Sequence, residues 1–261
     1  MLIDSHCHLN MLDLTDFDQD LQKVIAQARA NDVSRMLTVC VTLEDLPKIE
    51  AIAEQFPEVY TSVGVHPNEK TPNEPDTNDL VRLAAYQACI AIGETGLDYF
   101  RIESEAEQAQ QQQRFRNHIR AALAAQKPLI IHTRQASADT IRIMQEEKAQ
   151  DIGGVMHCFT EDWTVAQQAL DLNFYISFSG ILTFKSAIDL QETAKKVPVD
   201  RMLIETDSPY LAPVPFRGKQ NHPALVKEVA MALATLRGMT YAEIATATTA
   251  NFYRCFRVTP T

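Results

Sequence analysis

Leu2-Ile3-Asp4-Ser5-His6-Cys7-His8 joins a short apolar run to two histidines one residue apart. Side chains at i and i+2 of an extended segment leave on the same side. His6 and His8 therefore project their imidazoles together from a strand end, while Cys7 faces away. Two converging neutral imidazoles make half of a divalent-metal site. The same design returns along the chain, with a short apolar run ending each time in a ligand-type residue. Ile90-Ala91-Ile92 precedes Gly93-Glu94, Leu129-Ile130-Ile131 precedes His132, Val155-Met156 precedes His157, and Met202-Leu203-Ile204 precedes Glu205-Thr206-Asp207. Each reads as a buried strand that delivers a polar group at its C-terminal end.

Between these runs the apolar spacing turns helical. The pattern predicts helices over 16–31, 46–56, 79–87, 105–126, 137–148, 162–171 and 186–195, with a closing helical region from about 223 to 253. Further strands are expected at 36–41, 59–65 and 174–178, and the fourth is expected to end at Glu94. Gln110 to Gln113 reads as a solvated helix face, since glutamine is a good helix former. Eight strands alternating with helices imply parallel βαβ units. That number suggests a closed α/β barrel of the TIM (β/α)8 type, with its site at the C-terminal strand ends. No repeat or linker divides the chain, so residues 1–261 are expected to form one domain.

A length of 261 residues suits such a barrel, and 46% hydrophobic residues supply a large core. Lys+Arg 24 against Asp+Glu 34 leaves a net charge of −10, which argues against a protein that scans DNA with a basic surface. It leaves a nuclease open, because two bound dications would make a cleft locally positive. The first residues lack a basic segment followed by a long apolar run, so no signal peptide is read there, and no stretch is long enough to span a bilayer. Cys7, Cys40, Cys89, Cys158 and Cys255 are odd in number and scattered, mostly within apolar runs. They read as small buried hydrophobes, and the cytoplasm is the expected compartment.

Gathered at the barrel rim are His6, His8, Glu94, His132, His157 and Asp207. We assign His6, His8 and Asp207 to one ion, His132 and His157 to a second, and Glu94 to a bridge between them. Two dications a few ångströms apart would share a water, lower its pKa and clamp attacking and leaving oxygens. Mixed nitrogen and oxygen donors suit Zn or Mn better than Ca. Asp207 also fits a turn cap within Glu-Thr-Asp-Ser-Pro. His118 lies on the Phe115/Ile119 side of a helix and reads as structural, and His222 before Pro223 reads as a loop residue.

Ile3 to Asn10, Pro128 to Arg134 and Leu203 to Pro209 resemble the three signature segments of the TatD family. Gly64-Val65-His66-Pro67, Gly93 to Tyr99, His157-Cys158-Phe159-Thr160 and Arg217 to Pro223 also match, in order along nearly the whole chain. The likeness is to the bacterial YcfH-type branch. It implies an amidohydrolase-like TIM barrel, a metal-dependent hydrolase with two divalent ions (Zn, Mn or Mg), and DNase activity of the 3′→5′ exonuclease kind. By the same resemblance the six assigned ligands occupy the family's metal positions, and the retained His6-Cys7-His8 completes both sites.

Glu94, Asp207 and Glu205 are the candidate catalytic residues. Glu205 serves either to orient a ligand histidine or to assist proton transfer. Arg134, two residues after His132, can fork onto phosphate, and His66 can donate to a substrate oxygen. Arg217 either contacts substrate or forms a surface ion pair. Trp163 either stacks a base or packs. The expected partner is DNA or another phosphoester, and the expected state is a monomer. Hydrolysis of an ester or amide, such as removal of a D-amino acid from tRNA, is the alternative activity.

Overall fold

In the computed structural model, which describes residues 1–71, 74–100, 102 and 104–260, the apolar runs form eight parallel strands paired in chain order. They are β1 (Leu2–Cys7), β2 (Val33–Thr38), β3 (Val59–Val63), β4 (Cys89–Asp98), β5 (Leu129–Arg134), β6 (Gly154–Met156), β7 (Phe174–Phe178) and β8 (Met202–Ile204). Between and after them lie α1 (Leu21–Ala30), α2 (Leu46–Gln55), α3 (Thr77–Leu83), α4 (Glu105–Ala125), α5 (Ser137–Glu146), α6 (Trp163–Asp171), α7 (Ile188–Lys196), α8 (Val226–Arg237) and α9 (Tyr241–Phe256). This is a TIM (β/α)8 barrel. None of the described helices is long and apolar enough to cross a membrane.

The seam between first and last strands closes at the end that carries His6, His8 and Asp207. The Asp207 amide donates to His6 O at 2.9 Å and the His8 amide to Ser208 O at 2.8 Å. Below them the Ser5 hydroxyl donates to Ile204 O at 2.9 Å. The seam is also tied by Asp4, a fully buried carboxyl that takes the Thr206 amide at 2.9 Å.

Two apolar cores follow from the strand pleat. The larger packs strands against the surrounding helices. The smaller joins Ile3, Leu37, Ile90, Ile130, Val155 and Leu203, from six strands, to Phe252 and Phe256 of α9. The last helix thus caps the barrel interior.

Several boundaries differ from the sequence expectation, each for a local reason. Helix α1 starts at Leu21 because the Asp20 side chain caps it by accepting from the Gln22 amide. Helix α3 starts at Thr77 under a capping box of Asp76 and Asp79 and ends at Leu83. The closing helical region is two helices, broken at Gly238 (φ 63°) and restarted by the Thr240–Glu243 capping box. β2 lies three residues earlier than expected, ending at Thr38.

Two corrections bear on the site. β4 continues past Glu94 to Asp98, because its glycines permit a closeness that side chains would forbid. A Cβ on Gly93 (φ 143°) would sit 2.6 Å from Ile130 O, and one on Gly96 (φ 135°) 2.0 Å from His132 O. The glutamine run is not a solvated face either: Gln111 is buried and Gln112 half-buried, while Gln110 and Gln113 are exposed. At about 100° per residue the four cannot all share one face of the helix, and Gln111 is the one that turns inward. Cys7, Cys40, Cys89 and Cys255 are buried free thiols, and Cys158 is partly exposed.

Candidate metal centre

The strand ends bring the six rim residues into one cluster. His6 Nε2 and His8 Nε2 are 3.3 Å apart. Asp207 Oδ1 lies 3.6 Å from the first and 3.4 Å from the second. Glu94 Oε2 completes this group at 3.3 Å from His6 Nε2 and 4.0 Å from His8 Nε2. The other carboxylate oxygen, Glu94 Oε1, lies 3.0 Å from His132 Nδ1 and 2.8 Å from His157 Nε2, which are 3.3 Å from each other. Metal bonds of about 2.0–2.1 Å in a tetrahedron separate ligand atoms by about 3.3 Å. Both groups have that spacing, so the donors fit divalent ions.

The far side of most rings faces an acceptor, which directs the other ring nitrogen into the cluster. His8 Nδ1 faces Val39 O at 3.1 Å. His157 Nδ1 faces Glu205 Oε1 at 3.3 Å, and His132 Nε2 faces Asp98 Oδ2 at 3.3 Å. Such partners set the tautomer and raise ligand basicity. His6 differs, since among the described residues its buried Nδ1 has no hydrogen-bond partner. Glu205, fully buried, also accepts the Cys158 amide at 2.7 Å through Oε1, whereas Oε2 has no hydrogen-bond partner among the described residues.

Charges in the cluster offset one another. Burial pushes the Glu94 carboxyl up, but the imidazoles of His157 and His66 and hydrogen bonds from His132 and His157 hold it well below the usual range. Asp207 is held low against burial by His8 and by the nearby His6 and His157 rings. Asp98 goes down to about 2: burial opposes this, and the His132 ring and the Phe100 amide outweigh it.

His66 stands at the edge of the cluster, its Nε2 3.5 Å from Glu94 Oε1. Burial pushes its pKa down to about 4, so the ring is neutral at pH 7. The Asn68 amide donates to His66 Nδ1 at 3.1 Å, so the single ring proton sits on Nε2. His66 is thereby set as a donor into the site.

The segment carrying His66 is clamped by one polar face of α4. His118 Nε2 accepts the Val65 amide at 3.0 Å while its Nδ1 donates to Arg114 O at 2.8 Å. Arg114 Nη1 donates to His66 O at 2.7 Å and to Pro67 O at 3.1 Å. Gln111 Nε2 donates to Pro67 O and Asn68 Oδ1, and its Oε1 accepts the Asp98 amide at 2.9 Å. His118 is structural, as its place in the sequence suggests. His222 packs edge-on against Phe17, apart from the cluster.

A cavity of about 650 Å³ opens over the cluster, lined in part by His8, His66, Glu94, His132, His157 and Asp207. Arg134 is on its wall, exposed, with its guanidinium 3.7 Å above the Phe100 ring. Arg217 is not among the lining residues; it is exposed and stacks 4.1 Å over Phe184. Trp163 does not line the cavity and packs against the core from the first turn of α6.

Sequence reasoning missed Asp98, Gln111 and Asn221. Asp98 stands four residues after Glu94 on a strand expected to have ended, and continued alternation was the signal available. Asn221, fully buried, donates to Thr206 O at 2.8 Å and Tyr210 O at 2.6 Å, bracing the turn in which Asp207 takes φ 56°. No local pattern marks it.

Known proteins share the fold and much of the sequence. The chain is 48% identical to the uncharacterized metal-dependent hydrolase YcfH of Escherichia coli K12 over 258 residues, covering 98% of this chain and 96% of that one. It is 42% identical to the uncharacterized metal-dependent hydrolase YabD of Bacillus subtilis, covering 99% and 100%. The 3′-5′ ssDNA/RNA exonuclease TatD of Citrobacter rodentium is 30% identical, covering 94% and 95%. Among solved structures, the TatD homologue YjjV of E. coli K12 superposes with a TM-score of 0.89 at 24% identity, covering 99% and 98%. Residues 3–257 match the TatD related DNase family, and the chain accordingly belongs to the TatD family of metal-dependent hydrolases.

Proposed function

We propose that the chain is a two-metal phosphodiesterase that removes nucleotides from the 3′ end of single-stranded DNA or RNA. One observation carries the two-metal reading: Glu94 directs Oε2 to His6 and His8, which Asp207 also faces, and Oε1 to His132 and His157. His6, His8 and Asp207 would hold one ion and His132 and His157 the other, with Glu94 offering a carboxylate oxygen to each. Two divalent ions there would supply water activation and charge stabilisation for displacement at phosphorus.

The chain's own groups do the rest. Arg134 forks onto non-bridging phosphate oxygens from the cavity wall. His66 donates its Nε2 proton to a substrate oxygen. Glu205 orients His157 through Nδ1, its Oε1 facing the ring and accepting the Cys158 amide. Asp98 does the same for His132. Arg217, off the cavity wall, has no assigned part. The nucleic-acid reading is supported by Arg134 and by the name of the C. rodentium relative.

The test is a metal-loaded assay on a 5′-labelled oligonucleotide and on D-aminoacyl-tRNA. Stepwise shortening that chelation stops and metal restores is the expected result. Deacylation of the tRNA without shortening of either nucleic acid would overturn it.

A further inference from the structure

The cavity over the cluster has two unlike walls. On the arc formed by the connections after β7, β8 and β1, the lining is apolar: Ile181, Tyr210, Leu211 and Met11. This arc is continuous, since a Cβ on Gly180 would sit 2.0 Å from Leu211 O. On the arc after β3, β5 and β6 the lining is polar, with His66, Glu69, Arg134 and Thr160. A ligand bridging the two meets an apolar shelf on one side and polar groups on the other, with Arg134 as the cation for a phosphate.

Tyr210 is the prominent member of the apolar shelf. Its side chain is 55% exposed, and its ring centroid lies 6.3 Å from that of His8. Among the described residues its hydroxyl has no hydrogen-bond partner, yet its backbone is tethered by the buried Asn221. An exposed aromatic face on a braced backbone, beside a metal ligand, is a ready stacking platform. Bases stack on aromatic side chains regardless of sequence, because every base has a π-face.

We propose that Tyr210 stacks the nucleobase next to the scissile phosphate, making the site selective for base-bearing strand ends over phosphodiesters without a base. This rests on the phosphodiesterase reading above and adds the residue that recognises the base.

The experiment compares wild type, Tyr210→Ala and Tyr210→Phe on two strands. One ends in 2-aminopurine, and the other is identical but ends in an abasic nucleotide. Tyr210→Ala is expected to lose about tenfold in kcat/KM on the base-bearing end relative to the abasic end, mainly through KM. Tyr210→Phe should recover the preference, since it keeps the ring. Binding should quench the terminal 2-aminopurine in wild type and not in Tyr210→Ala. Equal losses on both ends, or an unchanged preference, would overturn the stacking role while leaving the hydrolysis intact. Quenching through Tyr210 without strand hydrolysis would refute the reaction and keep the base site. A wild type that neither binds nor cleaves either strand refutes both.

Discussion

Arg134→Ala separates substrate binding from fold more cleanly than any other single change. The guanidinium is exposed, stacks 3.7 Å above Phe100 and makes no ion pair among the described residues. An exposed cation–π contact is worth about 0.5–1 kcal/mol. At this chain length that lowers Tm by roughly 1–4 °C. A charge-assisted contact to phosphate is worth about 1.5–3 kcal/mol, which corresponds to a roughly ten- to hundredfold loss in kcat/KM. The assay measures kcat/KM on a single-stranded oligonucleotide, metal content and the melting curve of the same preparations. Arg134→Lys should recover part of the loss, because lysine keeps the charge without the fork. Arg217→Ala, off the cavity wall, should change kcat/KM by less than about threefold by the same reckoning for an exposed residue. A large fall in Tm for Arg134→Ala with near-normal kinetics would refute the assignment and make it a structural residue.

Metal content at saturation should be two ions per chain, with chelation abolishing hydrolysis. Full activity at one ion or none contradicts the bridge. Glu94→Gln should cost more activity and more bound metal than Glu205→Gln, since Glu94 faces both ligand groups and Glu205 pairs with one of the candidate ligands, His157. Equal kinetic losses with metal content intact would put Glu205 directly in the chemistry. His118 gives a pH prediction for stability. Burial lowers its folded pKa from 6.5 to about 4. Its stabilisation is therefore complete above pH 6.5 and is lost as pH falls towards 4, by roughly 2–3 kcal/mol at pH 4.5. Urea unfolding at pH 7 and pH 4.5 should show the gap between wild type and His118→Gln closing by about that amount; a constant gap rules the linkage out.

The parts of this protein legible in the sequence are those whose position a strand dictates. A parallel strand buried on both faces is apolar along most of its length, and polar groups collect at the end that lines the cavity. His132 and His157 therefore announce themselves directly after Leu-Ile-Ile and Val-Met runs, and His6 shortly after Leu2-Ile3. The glycines of Gly93-Glu94-Thr95-Gly96 hid the continuation of β4, because glycine ordinarily weakens a strand. Here it is needed for the close approach to Ile130 and His132.

What holds the ligands in orientation left no such mark. Asp98, Gln111 and Asn221 act on partners distant in sequence, and Gln111 and Asn221 bond mainly backbone atoms. A backbone carbonyl imposes no residue type on the chain that carries it, so only the donor side of each contact is written in the sequence. On that side the donor is an ordinary polar residue: Gln111 is one of four consecutive glutamines, and the helix spacing alone does not say which of them turns inward. Placement of α4 against the 65–68 segment decides it, because that segment's amides and carbonyls must be satisfied once buried. The ligands thus follow from local pattern and their alignment from tertiary contact. It is the second that sets whether His66 offers a proton or a lone pair to the site, through one amide at Asn68.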